Sequence, residues 1–195
     1  MPLHSFSQMK KKKIIIAIFI IIFGFAFRVF LNEQVGIPNF EALTALSLVS
    51  GSFLGGVFAP IIPLLMAFSS DIYFGNTSVY LFTWSAFALA GILGTLVRRN
   101  SKHRFLKITG LGVLSVLFFY FWTNFGWWLT SGMYQMTFSG LIRCYIAALP
   151  FLKNQLISVL IFTPSFFASF SLIFDKVSVR ENKKYENSAF VSKIS

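Results

Sequence analysis

The chain has 195 residues, 56% hydrophobic and 12% charged, with 17 Lys and Arg against 6 Asp and Glu for a net charge of +11. A soluble globule of this composition would need almost every helix apolar all round, so the sequence excludes one and points to helices that face lipid or each other. The positive charge does not mark a nucleic-acid binder either, because it falls in three short clusters separated by apolar spans.

Lys10 to Lys13 run directly into an Ile- and Phe-rich stretch from Ile14 to Leu31. At roughly 18 residues it covers a hydrocarbon core of about 30 Å, and its cationic flank is expected to stay in the cytoplasm. Residues 25–28 hold no small-x-small cleavage site, so the stretch reads as a retained span rather than a leader. Five more apolar segments follow, at about 41–58, 59–73, 78–97, 105–129 and 151–174. The second basic cluster, Arg98 to Lys107, then comes four crossings after the first, and the third, Lys176 to Lys193, two crossings later. Even separations put all three clusters on one side. The expected architecture is an all-α integral membrane bundle of six transmembrane helices with both termini cytoplasmic. Residues 1–13 form a basic amino-terminal segment, 14–174 the membrane domain, and 175–195 a polar tail, too short of apolar residues to be expected to order.

Small residues four apart let helix backbones approach where lipid gives no hydrophobic drive for association. Gly51 and Gly55 form one such pair, and Ala86, Ala90 and Gly94 a second stripe, which places spans two and four inside the bundle. The amphipathic segment 137–148 reads as a short helix lying across the outer mouth, with Pro150 opening the last span.

Nearly every unusual polar residue falls at the outer level of this topology. Arg28 ends span one; Asn39 and Glu41 open span two; Asp71 closes span three; Asn124, Trp127 and Trp128 end span five; Arg143 lies in the outer segment. Ionisable groups at membrane depth are costly and face a partner or a water-filled cavity, so the cluster reads as a binding site for a small planar or zwitterionic solute. In that site Glu41 and Asp71 would meet ligand cations, Arg143 an anion, and Trp128, one turn after Asn124, a ring. Thr44, Ser47 and Gly51 continue the polar line inward from Glu41 at helical spacing. Each residue also has a structural reading: Arg28 paired with Asp71 or Glu41, an aromatic belt at Trp127 and Trp128, and a helix cap at Asn39 with an acidic first turn. Under that reading the chain is a structural or assembly protein locked by an ion pair.

No catalytic constellation emerges. His4 and His103 lie far apart outside the polar cluster, Cys144 is the single cysteine, and no Gly-Lys-Ser/Thr phosphate loop occurs, so neither an enzyme, a metal nor a cofactor is expected.

Two sets of motifs carry a resemblance. The run 38–48, Pro-Asn-Phe-Glu-Ala-Leu-Thr-Ala-Leu-Ser-Leu, with Ser-Asp-Ile-Tyr-Phe-Gly at 70–75, resembles the S components, the substrate-binding subunits of energy-coupling-factor vitamin transporters. The segments 123–129, 133–137 and 148–151 resemble more specifically a family of small bacterial six-span membrane proteins that itself looks like S components. The resemblance implies an outward pocket for a vitamin-like or nucleobase-like solute in a bacterial cytoplasmic membrane, with a separate ATPase module as the energy source. Many S components dock through an Ala-x-x-x-Ala pair on the first helix, whereas this chain has Ala17 and Gly24, seven apart. Association with an ATPase module is therefore expected to be weak or transient, along the groove those two residues leave.

Overall fold

The computed structural model describes the backbone of residues 3–75, 78–97 and 101–194, with side chains over 11–75, 78–97 and 101–174. Arg98 and Arg99, and the side chains of Lys10 and of the tail, lie outside the described residues. Every regular element described is a helix: α1 (Leu3–Phe30) extended by a π-helical turn (Leu31–Val35), α2 (Leu43–Leu54), α3 (Phe58–Phe74), α4 (Tyr80–Gly94), α5 (Arg104–Thr130) and α6 (Phe138–Ile194).

Among the described residues three stretches are long and apolar enough to cross a membrane, Lys11–Val35, Arg104–Thr130 and Phe138–Phe174, where six were expected. The other three helices have 12, 17 and 15 residues. At 1.5 Å per residue they reach only about 18–26 Å. Local backbone geometry shortens them. Asn39 adopts a left-handed φ of 57°, so the chain is still turning where the second span was expected to begin. At the other end of α2, Gly55 and Gly56 take φ of 59° and 54°, a conformation that only glycine adopts cheaply.

α6 departs from expectation at both ends. Residues 138–148 are not a separate helix across the mouth but its first turns, started by Thr137, whose hydroxyl accepts the Gly140 N–H at 3.1 Å. The helix passes through Pro150 and Pro164. One turn before Pro150, the carbonyl of Tyr145 takes the Tyr120 phenol at 2.6 Å. The backbone stays helical to Ile194 instead of ending at Phe174; residues 175–194 contain no Gly or Pro to break it.

α2 is the axis of the bundle, with every residue from Leu43 to Gly51 buried. Its crossing with α4 is set by missing side chains. A Cβ on Gly51 would strike the Gly91 carbonyl, one on Gly94 the Leu48 carbonyl, and one on Gly91 the Ala59 carbonyl of α3. Gly51 and the Ala86, Ala90, Gly94 stripe thus act as packing surfaces, while Gly55 ends the helix. On α1 the small residues face the same core. Ala17 and Ile20 are buried, and Gly24 lies against Met66 and Leu46, so the groove expected to receive a partner is filled by the bundle itself. α1 meets α6 through edge-on phenylalanines, Phe27 with Phe162 and Phe23 with Phe166.

The helices alternate in direction, which gives the bundle two distinct ends. At the basic end Lys13 donates to the Leu54 carbonyl at 2.9 Å, closing α2 with a cation where its dipole is negative, and Arg104 sits 6.0 Å from the Phe167 ring. The opposite end carries Arg28, Glu41, Asp71 and Asn124.

Candidate functional site: a cavity at the polar end

Between the helices at the polar end lies a cavity of about 570 Å³. Its roof is the segment from Gly36 to Glu41. Its walls are Arg28 and Asn32 from the end of α1, Val79, Thr83 and Phe87 at the start of α4, Phe119, Thr123, Asn124 and Trp127 at the end of α5, and Phe151 and Gln155 on α6. The roof is tied down by Asn154, whose amide donates to the Pro38 carbonyl at 2.9 Å. Beside it the Tyr73 phenol donates to Glu33 at 2.6 Å, fastening the π-helical turn to α3.

Glu41 is the cap of α2. Its carboxylate accepts the N–H of Leu43, the N–H of Thr44 at 3.2 Å, the Thr44 hydroxyl at 2.6 Å and the Gln155 amide at 3.4 Å. A carboxylate at a helix N-terminus satisfies orphan N–H groups and complements the dipole. The cap expected at Asn39 is therefore made two residues later. The polar line inward from Glu41 is packing and capping: Thr44 bonds Glu41, Ser47 donates back to the Leu43 carbonyl at 2.6 Å, and Gly51 meets α4.

Arg28 donates through Nη1 to Ser70 and, at 3.1 Å, to Asp71. The second Asp71 oxygen takes the Trp84 indole N–H at 2.7 Å. Arg28 and Asp71 are a quarter and about a seventh exposed, at 25% and 15%, so the pair is largely withdrawn from solvent without being sealed. Both the ion-pair lock and the open cavity exist, side by side, and Arg28 belongs to both.

Of the residues singled out from the sequence, Arg28, Asn39, Glu41, Asn124 and Trp127 line the cavity together. Asp71 stands behind Arg28. Trp128 turns the other way, with its indole N–H on the Gln135 carbonyl at 2.9 Å and its ring against Phe125. Arg143 is on the exposed side of the second turn of α6, outside the lining. Spacing explains the split on α5: Phe119, Thr123 and Trp127 follow one another at four residues and share a face, with Asn124 at its edge and Trp128 about 40° further round. Thr83, Thr123 and Gln155 add polar groups to the lining that were not singled out from the sequence. Gln155, only 2% exposed in an apolar helix, carried a readable signal, since a buried amide there needs a partner. The threonines carried none, being ordinary in such helices.

Three helices long and apolar enough to cross a membrane, with a cavity at the polar end, fit the class of helical membrane proteins. The chain belongs to the family of unknown function DUF6580, whose model matches residues 8–183. No curated protein and no solved structure matches it.

Proposed function

We propose that the chain crosses a bacterial cytoplasmic membrane six times with both termini inside, and that it captures a small organic solute, vitamin-like or nucleobase-like, in the cavity at its outer end for uptake. The cavity carries this reading. Its 570 Å³ lies within the roughly 300–1,000 Å³ usual for ligand sites, and it combines aromatic walls with a few convergent polar groups. Six crossings are compatible with short helices because α2 is enclosed by its neighbours and need not face lipid. The orientation rests on the basic residues gathered at the other end. The lining offers amides and rings, and its one carboxylate already holds four donors, so the reading is capture rather than catalysis.

In this reading the bundle works as an S component does, with energy supplied by a separate ATPase module. The module associates weakly or transiently, since Ala17 and Gly24 face inward. Stable co-purification of an ATPase from native membranes would overturn that part. Thermal-shift screening of the purified chain against vitamins, nucleobases and nucleosides tests the rest. Asn124→Ala and Trp127→Ala should each weaken a hit by about tenfold, the worth of one buried hydrogen bond or ring contact. Unchanged affinity in both variants removes the cavity as the site.

The Arg28–Asp71 pair favours a second reading, an assembly or structural protein whose polar end is a lock. Under it no compound in the screen shifts the melting temperature, while Asp71→Asn lowers it.

A further inference from the structure

The polarity of the cavity follows from where its own protons already go. Thr83 donates to the Tyr80 carbonyl at 2.9 Å and Thr123 to the Phe119 carbonyl at 2.8 Å, so both hydroxyls keep only lone pairs. The Asn124 amide nitrogen donates to the Tyr120 carbonyl at 2.8 Å and that of Gln155 to Glu41 at 3.4 Å. A carbonyl or carboxylate can only accept, which fixes the nitrogen as the atom turned toward the protein. The amide oxygens of Asn124 and Gln155 are left without a donor among the described residues. The walls from α4, α5 and α6 therefore present four acceptor oxygens, alongside the second N–H of each amide and the Trp127 indole N–H.

The α1 wall is the reverse. Arg28 uses Nη1 alone for Ser70 and Asp71, and its Nε and Nη2 have no hydrogen-bond partner among the described residues. Neither carboxylate is open to a ligand. Glu41 caps α2 and holds Gln155, and Asp71 holds Arg28 and Trp84.

We infer that, if the cavity is a solute site as proposed above, its ligand is a planar organic acid that sets its carboxylate on Arg28 and its N–H or O–H donors toward Thr123, Asn124 and Gln155. Selection is for an anion bearing donors, not for a cation. The aromatic walls, Phe87, Phe119 and Trp127, accept the ring between these two poles.

Three matched probes read this polarity: p-aminobenzoate, its uncharged amide p-aminobenzamide, and benzoate, which lacks the amine. Each is titrated at up to millimolar concentration into the full chain in phosphatidylcholine nanodiscs, followed by tryptophan fluorescence and thermal shift. The acid should bind about tenfold or more tighter than its amide, the usual weight of a hydrogen bond to a charged group, and tighter than benzoate. Arg28→Lys keeps a cation for Asp71 but removes the forked donors, and should cut the preference for acid over amide to about twofold or less. Gln155→Leu should narrow the gap between p-aminobenzoate and benzoate while leaving that between acid and amide. Probe-free thermal unfolding of both variants separates lost binding from lost fold. An amide that binds as well as its acid, or a preference untouched by Arg28→Lys, overturns the inference and leaves the solute site standing. Binding of none of the three also overturns it, and the broader screen then decides the site by itself.

Discussion

Arg28 Nη1 lies 3.1 Å from Asp71 Oδ1, and the other oxygen of that carboxylate holds the Trp84 indole, so one acidic side chain ties α1, α3 and α4 together at a single level. The pair forms the back wall of the cavity rather than its floor. It keeps the guanidinium in place where lone pairs from three other helices converge.

Removing the carboxylate should therefore loosen three helices at once. Asp71→Ala leaves a largely withdrawn arginine and an indole donor without acceptor, and should cost about 2–3 kcal/mol, between an exposed pair and a buried one. Trp84→Phe, which removes only the indole hydrogen bond, should cost about 1 kcal/mol. Thermal unfolding in detergent micelles checks both. Equal, negligible effects would show that the pair is not structural.

Gly91 meets backbone where a side chain would begin, whereas Gly110 has open space. Gly91→Ala forces α4 away from α3 and should lower stability by about 1–3 kcal/mol. Gly110→Ala fills no contact and should be neutral or stabilise by up to about 1 kcal/mol, the gain of helix propensity. A chemical-unfolding series on the two variants distinguishes them.

Glu41 should matter more to α2 than to any ligand. Glu41→Ala opens the N-terminus of a buried helix and should cost about 1–2 kcal/mol. Glu41→Gln, which keeps one acceptor oxygen, should cost less. Hydrogen exchange of the Leu43 and Thr44 amides should quicken in both, most in the alanine variant; protection unchanged in Glu41→Ala would remove the cap.

For the orientation, single cysteines in a Cys144→Ala background give a direct reading. Met133→Cys, 69% exposed at the cavity end, should react with a membrane-impermeant maleimide in intact cells, and Lys102→Cys should react only after lysis. The opposite pattern inverts the proposed topology.

The all-helical class and the order of the apolar helices were legible from apolar runs, because such a run is a property of many residues in a row; the separate short helix expected at 137–148 was not found, since it continues into α6. Helix length was not legible, since α2 begins where the Glu41 side chain accepts two N–H groups and Asn39 takes a positive φ, choices made by single residues. Asn39, Glu41, Asn124 and Trp127 were found in the sequence because polar residues stand out at the ends of apolar runs. Trp128 was separated from Trp127 only by the rotation of α5, and one residue of phase decides which ring lines the cavity. The inward face of α1 was likewise invisible, because Ala17 and Gly24 serve a partner and the bundle's own core equally well.

The enclosure of α2 bears on how the chain is made. A helix of 12 residues with buried sides and backbone crossings at Gly51 and Gly94 has no stable position in lipid alone. In the proposed six-span topology it would enter as half of a hairpin with α3 and gain its last wall only when α6 arrives, more than eighty residues later in synthesis, bringing Gln155 to the Glu41 carboxylate. Until then the middle of the nascent protein is a surface without a lining. Premature termination after α5 should yield a species for quality-control proteolysis rather than a smaller working bundle.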